Sequence, residues 1–144
     1  SHMSERAFHD TLEESARPVV ASHSNMRSVC DHPRNLRDDQ IRSIIESGGL
    51  VGLTFVPWFV KDGEEVVPED LIPHIERVLE LGGEDHLALG TDYDGIDAPP
   101  AGLEDVSKLP DLAAAMLRRG FRESEVRAVF GENLARLFSA VLPA

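Results

Sequence analysis

Cysteine is nearly absent: Cys30 is the only one in 144 residues. A single thiol closes no intrachain disulfide and cannot build a cysteine-rich zinc module. It agrees with a reducing, cytoplasmic compartment. Cations are also scarce, with 14 Lys and Arg against 26 Asp and Glu and a formal net charge of −12. No basic stripe runs along the chain to follow a phosphate backbone, so nucleic acid is not an expected partner. The same charge disfavours an anionic membrane surface. No apolar run reaches the ~18 residues of a membrane-spanning helix, and no secretory signal pattern or lipid-anchor tail is visible. The expectation is no membrane partner.

What remains is enough for one domain with a real core, since 42% of residues are hydrophobic. The length falls well short of the roughly 250 residues of an eight-fold β/α barrel. Helical spacing of Ala7, Phe8, Leu12 and Ala16 predicts a helix opened by Ser4. A short apolar strand is expected over 19–22, a polar loop over 25–35, and a helix over 38–47 carrying Ile41, Ile44 and Ile45 on one face. A β-branched strand over 50–56 precedes a loop over 57–67. A helix over 69–81 follows, with Pro73 in its first turns, where a missing N–H costs least. The third strand is expected over 86–90, then a long loop over 91–109. Helices over 111–119 and 123–141 close the chain, the last with a break at Gly131. Strands alternating with helices imply parallel strands joined by right-handed crossovers, an α/β fold with three strands.

Two strands end in chemistry. Pro18-Val19-Val20-Ala21 runs into Ser22-His23-Ser24-Asn25, and Leu87-Ala88-Leu89 runs into Gly90-Thr91-Asp92-Tyr93-Asp94-Gly95. A lone histidine is more often structural than catalytic, but the C-terminal end of a buried parallel strand is where such sheets place function. Ser22 and Ser24 suggest a serine hydrolase, yet the G-x-S-x-G elbow is absent. Asp92 and Asp94 could be a plain turn. A calcium loop fails because Ile96 stands where an oxygen ligand is needed. An aspartate in this place suits metal ligation or proton transfer. Arg34, in the polar loop, is either solvated or a fork for a substrate carboxylate. Cys30 and His32 are too few for a zinc site by themselves. His9, His74 and His86 read as surface or packing residues. Trp58 and Phe59 lie in the loop after the second strand, where contact with a substrate is open but fixed by nothing in the sequence.

Taken in order, Ala21-Ser22-His23-Ser24-Asn25, Cys30-Asp31-His32-Pro33-Arg34-Asn35, Gly90-Thr91-Asp92-Tyr93-Asp94-Gly95 and Gly102-Leu103-Glu104-Asp105-Val106-Ser107-Lys108 resemble the membrane dipeptidase (renal dipeptidase) family of zinc peptidases. The resemblance covers residues 1–144 but only the C-terminal part of the family's single barrel domain. It implies a portion of a (β/α)8 TIM-type barrel of the metal-dependent hydrolase kind, with two zinc ions at the strands' C-terminal face. His23 resembles the zinc ligand ending the sixth strand. Arg34 resembles the arginine that grips the dipeptide's terminal carboxylate. Asp92 resembles the aspartate that moves the proton, with Asp94 supporting it. The Ser1-His2-Met3-Ser4 stretch resembles the context of another zinc histidine, and His2 lies 21 residues before His23, as the family requires. Ser1-His2-Met3 is also what a cloning site leaves after tag removal.

The resemblance also implies what this stretch lacks. A His-x-Asp pair, a bridging glutamate and a substrate-binding histidine belong to sequence before Ser1. A catalytic zinc takes three protein ligands, so the expectation is a chain inactive by itself. The N-terminal half of the barrel, as a separate chain or a homo-oligomeric mate, would complete it. The implied reaction is hydrolysis of dipeptides, with a D-residue accepted at the C-terminal position. The alternatives are a non-catalytic barrel fragment or subunit, and another metal-dependent hydrolase of the same superfamily.

Overall fold

The computed structural model describes residues 1–63 and 65–143. Glu64, inside the loop expected over 57–67, and Ala144 lie outside the described residues. Helix α1 (Glu5–Glu14) is capped by Ser4, whose hydroxyl accepts from the Ala7 N–H at 3.2 Å. Strand β1 (Val20–Ala21) leads through the polar loop to α2 (Asp38–Glu46), where Gln40 Oε1 accepts from the Arg37 N–H at 3.0 Å. Strand β2 (Leu50–Leu53) is followed by a single helical turn, α3 (Pro57–Val60), where a loop is expected over 57–67. A 3₁₀ turn (Pro68–Leu71) runs into α4 (Ile72–Glu80), then β3 (Leu87–Leu89). After a loop come α5 (Leu109–Arg119), α6 (Glu123–Arg127) and α7 (Asn133–Val141). The last two are joined by a π turn in which Gly131 departs from helical geometry, at the expected break.

The strands form one parallel sheet in the order β1-β2-β3, pairing Val20 with Leu50, Ala21 with Val51, and Val51 with Leu87. The core lies mainly on one face. Val51, Leu53 and Leu87 pack with Ile41 and Ile44 of α2, Ile75 and Val78 of α4, and Leu112 and Met116 of α5. Leu50 and Ala88 turn to the opposite face, where Leu137 of α7 covers them. The fold is α/β, three parallel strands with flanking helices, as expected.

The strands are shorter than their apolar runs, for a physical reason. The Thr54 N–H donates to Asn25 Oδ1 at 3.0 Å, and the Thr54 carbonyl accepts from Asn25 Nδ2 at 3.0 Å. A buried side-chain amide thus replaces the next rung of the ladder, and β2 ends at Leu53 although residues through Val56 stay buried. This substitution ties the loop after β1 to the end of β2.

Candidate active site

The site grows from the ends of β1 and β3. Beyond Ala21 the chain bends across the sheet, and the Ser24 N–H donates to the Gly52 carbonyl at 2.7 Å. The Ser22 carbonyl then lies against the Cα atoms of Gly52 and Gly90. A Cβ at either position would collide with it. These two glycines let the backbone carrying His23 cross the strand ends.

Ser1 fixes the same backbone from the other side. Its hydroxyl donates to the His23 carbonyl at 2.9 Å and accepts from the His23 N–H at 3.0 Å. The Ser24 hydroxyl, 3.0 Å away, must therefore be the donor to Ser1. This clasp brings the next residue, His2, to His23, with ring centroids 4.9 Å apart at an interplanar angle of 59°. His23 Nδ1 is 2.9 Å from the Ser22 hydroxyl, and its Nε2 is buried with no hydrogen-bond partner among the described residues. Burial lowers the affinity of His23 for a proton. Asp92 opposes that, while His2 and Arg34 push the same way as burial. The neutral imidazole that results is the form that ligates a metal.

Asp92 follows β3 in the left-handed region, at φ 64° and ψ 29°. Among the described residues only His2 (φ 61°) and Asp92 are non-glycine residues with positive φ. Strained backbone of this kind persists where its surroundings over-determine it, and it clusters at functional sites. The surroundings here are explicit. The Phe55 N–H donates to the Thr91 carbonyl at 3.2 Å, and the Phe55 and Tyr93 rings meet edge to face at 5.6 Å. Asp94 is exposed, on the 3₁₀ turn Tyr93–Gly95.

Arg34 sits on the polar loop, whose neck is closed by the Leu36 N–H donating to the Asn25 carbonyl and the Arg27 N–H to the Leu36 carbonyl, each at 2.8 Å. The Arg34 N–H donates to His32 Nδ1 at 3.2 Å. Nearby Arg27 and Arg37 are paired with Asp31 and with Glu5 and Asp39, whereas Arg34 joins no ion pair among the described residues. Its guanidinium carbon instead stands 5.2 Å over the Phe59 ring. His2, Ser24, Arg34 and Asn35 share the wall of a cavity of about 140 Å³. The wall carries one of the two imidazoles, that of His2, beside the Arg34 guanidinium; the His23 ring stands next to His2 but outside the cavity lining.

The buried scaffold beneath was not legible as part of the site. Asn35 Nδ2 donates to the Cys30 and Phe59 carbonyls at 2.9 and 2.8 Å. His74, fully buried on α4, accepts from the Met26 N–H at Nδ1 (3.1 Å) and donates from Nε2 to the Val60 carbonyl (2.8 Å). It is a packing residue, as expected, but one that ties the loop to α3. The signal was available: His74 lies at helical spacing with Leu71 and Val78, on the apolar face.

The two imidazoles suit one metal ion in part. The orphaned Nε2 of His23 fits a ligand, but no group of three His, Cys, Asp or Glu able to hold a metal occurs among the described residues. The family model for membrane dipeptidase (peptidase family M19) matches residues 1–143. The chain belongs to the membrane dipeptidase family. Dipeptidase tcpJ of Claviceps purpurea (strain 20.1) is 39% identical over 142 residues, which cover 98% of this chain and 33% of that protein. Similar solved structures include a metallo peptidase from Rhodobacter sphaeroides liganded with a phosphinate mimic of the dipeptide L-Ala-D-Ala. It is 38% identical with a TM-score of 0.91, over 96% of this chain and 40% of the other. An amidohydrolase from Pseudomonas aeruginosa is 30% identical with a TM-score of 0.85, over 95% of this chain and 50% of the other. The chain thus spans one third to one half of the length of these relatives, and its fold is a portion of the larger barrel-type fold of the dipeptidases.

Proposed function

We propose that this chain supplies part of the active site of a zinc-dependent dipeptidase. His2 and His23 would hold a zinc ion through their imidazole nitrogens, with the Ser22 hydroxyl fixing the orientation of the His23 ring. The observation that carries this reading is the buried, unpartnered Nε2 of His23 beside the His2 ring. That the family match includes His2 supports reading it as a native ligand. Bound zinc supplies Lewis acidity, lowering the pKa of water and polarising the scissile carbonyl.

The remaining steps fall to side chains. Arg34, in no ion pair among the described residues, grips the substrate's terminal carboxylate and so favours dipeptides over longer chains. Asp92 takes the proton from the attacking water and passes it to the leaving amine. Asp94, two residues on, has a supporting role. The dipeptide mimic in the Rhodobacter sphaeroides relative supports a dipeptide substrate with a D-residue at its C-terminal position. A third ligand and the second zinc site come from the N-terminal half of the barrel, so residues 1–144 alone do not turn over.

The test is substrate selectivity in the full-length protein. Arg34→Met should raise KM for dipeptides far more than for the matching C-terminal amides. An unchanged preference would sink the dipeptide assignment and favour another hydrolase of the same superfamily.

A further inference from the structure

Phe59 touches Arg34 in a way that ordinary core packing does not require. Its ring lies under the Arg34 guanidinium at 5.2 Å, the arrangement in which the ring quadrupole attracts a cation. The ring itself is immobilised: His32 packs on it with centroids 4.5 Å apart, and Trp58 meets it edge to face at 6.1 Å. The backbone of the same residue is pinned as well. The Phe59 carbonyl accepts from Asn35 Nδ2 at 2.8 Å and from Asn25 Nδ2 at 3.4 Å. Asn35 is the residue after Arg34, and Asn25 stands two after His23.

One buried residue therefore connects the two functional side chains. Its carbonyl fixes the backbone beside each of them, and its ring fixes where the charged end of Arg34 stands. Left to itself, an arginine side chain explores many rotamers, and its fork recognises a carboxylate only when correctly aimed. We infer that Phe59 is the positioning residue for Arg34, holding the guanidinium ready for a substrate carboxylate. The proposal rests on the reading of Arg34 as the carboxylate clamp.

Leucine at 59 keeps apolar bulk and the backbone carbonyl but removes the π face, and tyrosine keeps the face. The experiment combines NMR of the labelled Arg34 side chain with steady-state kinetics on L-Ala-D-Ala, in the full-length, metal-loaded protein. In wild type and Phe59→Tyr, the Arg34 side-chain protons should show an upfield ring-current shift. Phe59→Leu should lose it and raise KM about three- to ten-fold, with kcat within about two-fold. Equal KM increases in both variants, a fall in kcat at constant KM, or a ring-current shift absent in wild type would overturn the proposal. If the shift is lost in Phe59→Leu while neither that variant nor Arg34→Met alters KM, Phe59 positions Arg34 and it is the carboxylate reading that fails.

Discussion

His2 and His23 stand 21 residues apart in the chain, yet their rings are 4.9 Å apart, centroid to centroid. The Ser1 hydroxyl, bonded to both the N–H and the carbonyl of His23, sets this approach. The crossing of the Ser22 carbonyl over two strand-end glycines sets the other side. Each contact can be removed by one substitution.

Gly52→Ala places a methyl group where the Ser22 carbonyl lies. The neighbour is backbone, so the chain bearing His23 must shift. Overpacking of this kind costs about 1–3 kcal/mol. The expected outcome is a lower melting temperature together with weaker zinc binding. A variant that matches wild type in both has not moved His23, and the close approach is then unimportant.

His74 makes stability depend on pH. Burial lowers its proton affinity, and the Met26 N–H needs an unprotonated Nδ1 as acceptor. The unfolded chain binds a proton near the ordinary value of about 6.5, while the folded chain stays neutral to lower pH. Stability is therefore complete above about pH 6.5 and declines as pH falls below it. Burial of His23 acts in the same direction. Thermal melts between pH 7.5 and 5.5 should show this loss, and His74→Gln, whose amide does not titrate, should show less of it. Equal slopes in the two proteins would remove His74 from the account.

Asp92→Asn keeps the shape of the side chain and removes its basicity. In the full-length protein kcat should fall at least about a hundred-fold, with zinc content unchanged. Activity within a few-fold of wild type would mean that another group moves the proton.

The fold was legible where local pattern and burial agree. The apolar runs before Ser22 and Gly90 read as strands because they are short, apolar and end in turn residues, although Val20 of the edge strand β1 is exposed, and the helices announce themselves by spacing. The turn Pro57–Val60 was not legible, since four residues are too short for periodicity. The early end of β2 was hidden for another reason: the partner of Thr54 is a side chain 29 residues away. His23 and Asp92 stand out as candidates because each follows a strand end, and Arg34 because it lies in a distinctive polar loop. Asn25, Asn35 and Phe59 take their roles from tertiary neighbours, and no spacing in the sequence encodes a ring beneath a guanidinium.

The most direct measurement is the zinc content of the full-length protein beside His2→Ala and His23→Ala, by elemental analysis after exhaustive dialysis. The account predicts that each substitution lowers zinc by one ion per chain and that the double variant loses no more than either single one. Full zinc in both single variants would show that the two imidazoles do not share a metal ion, and the proposed site would be wrong.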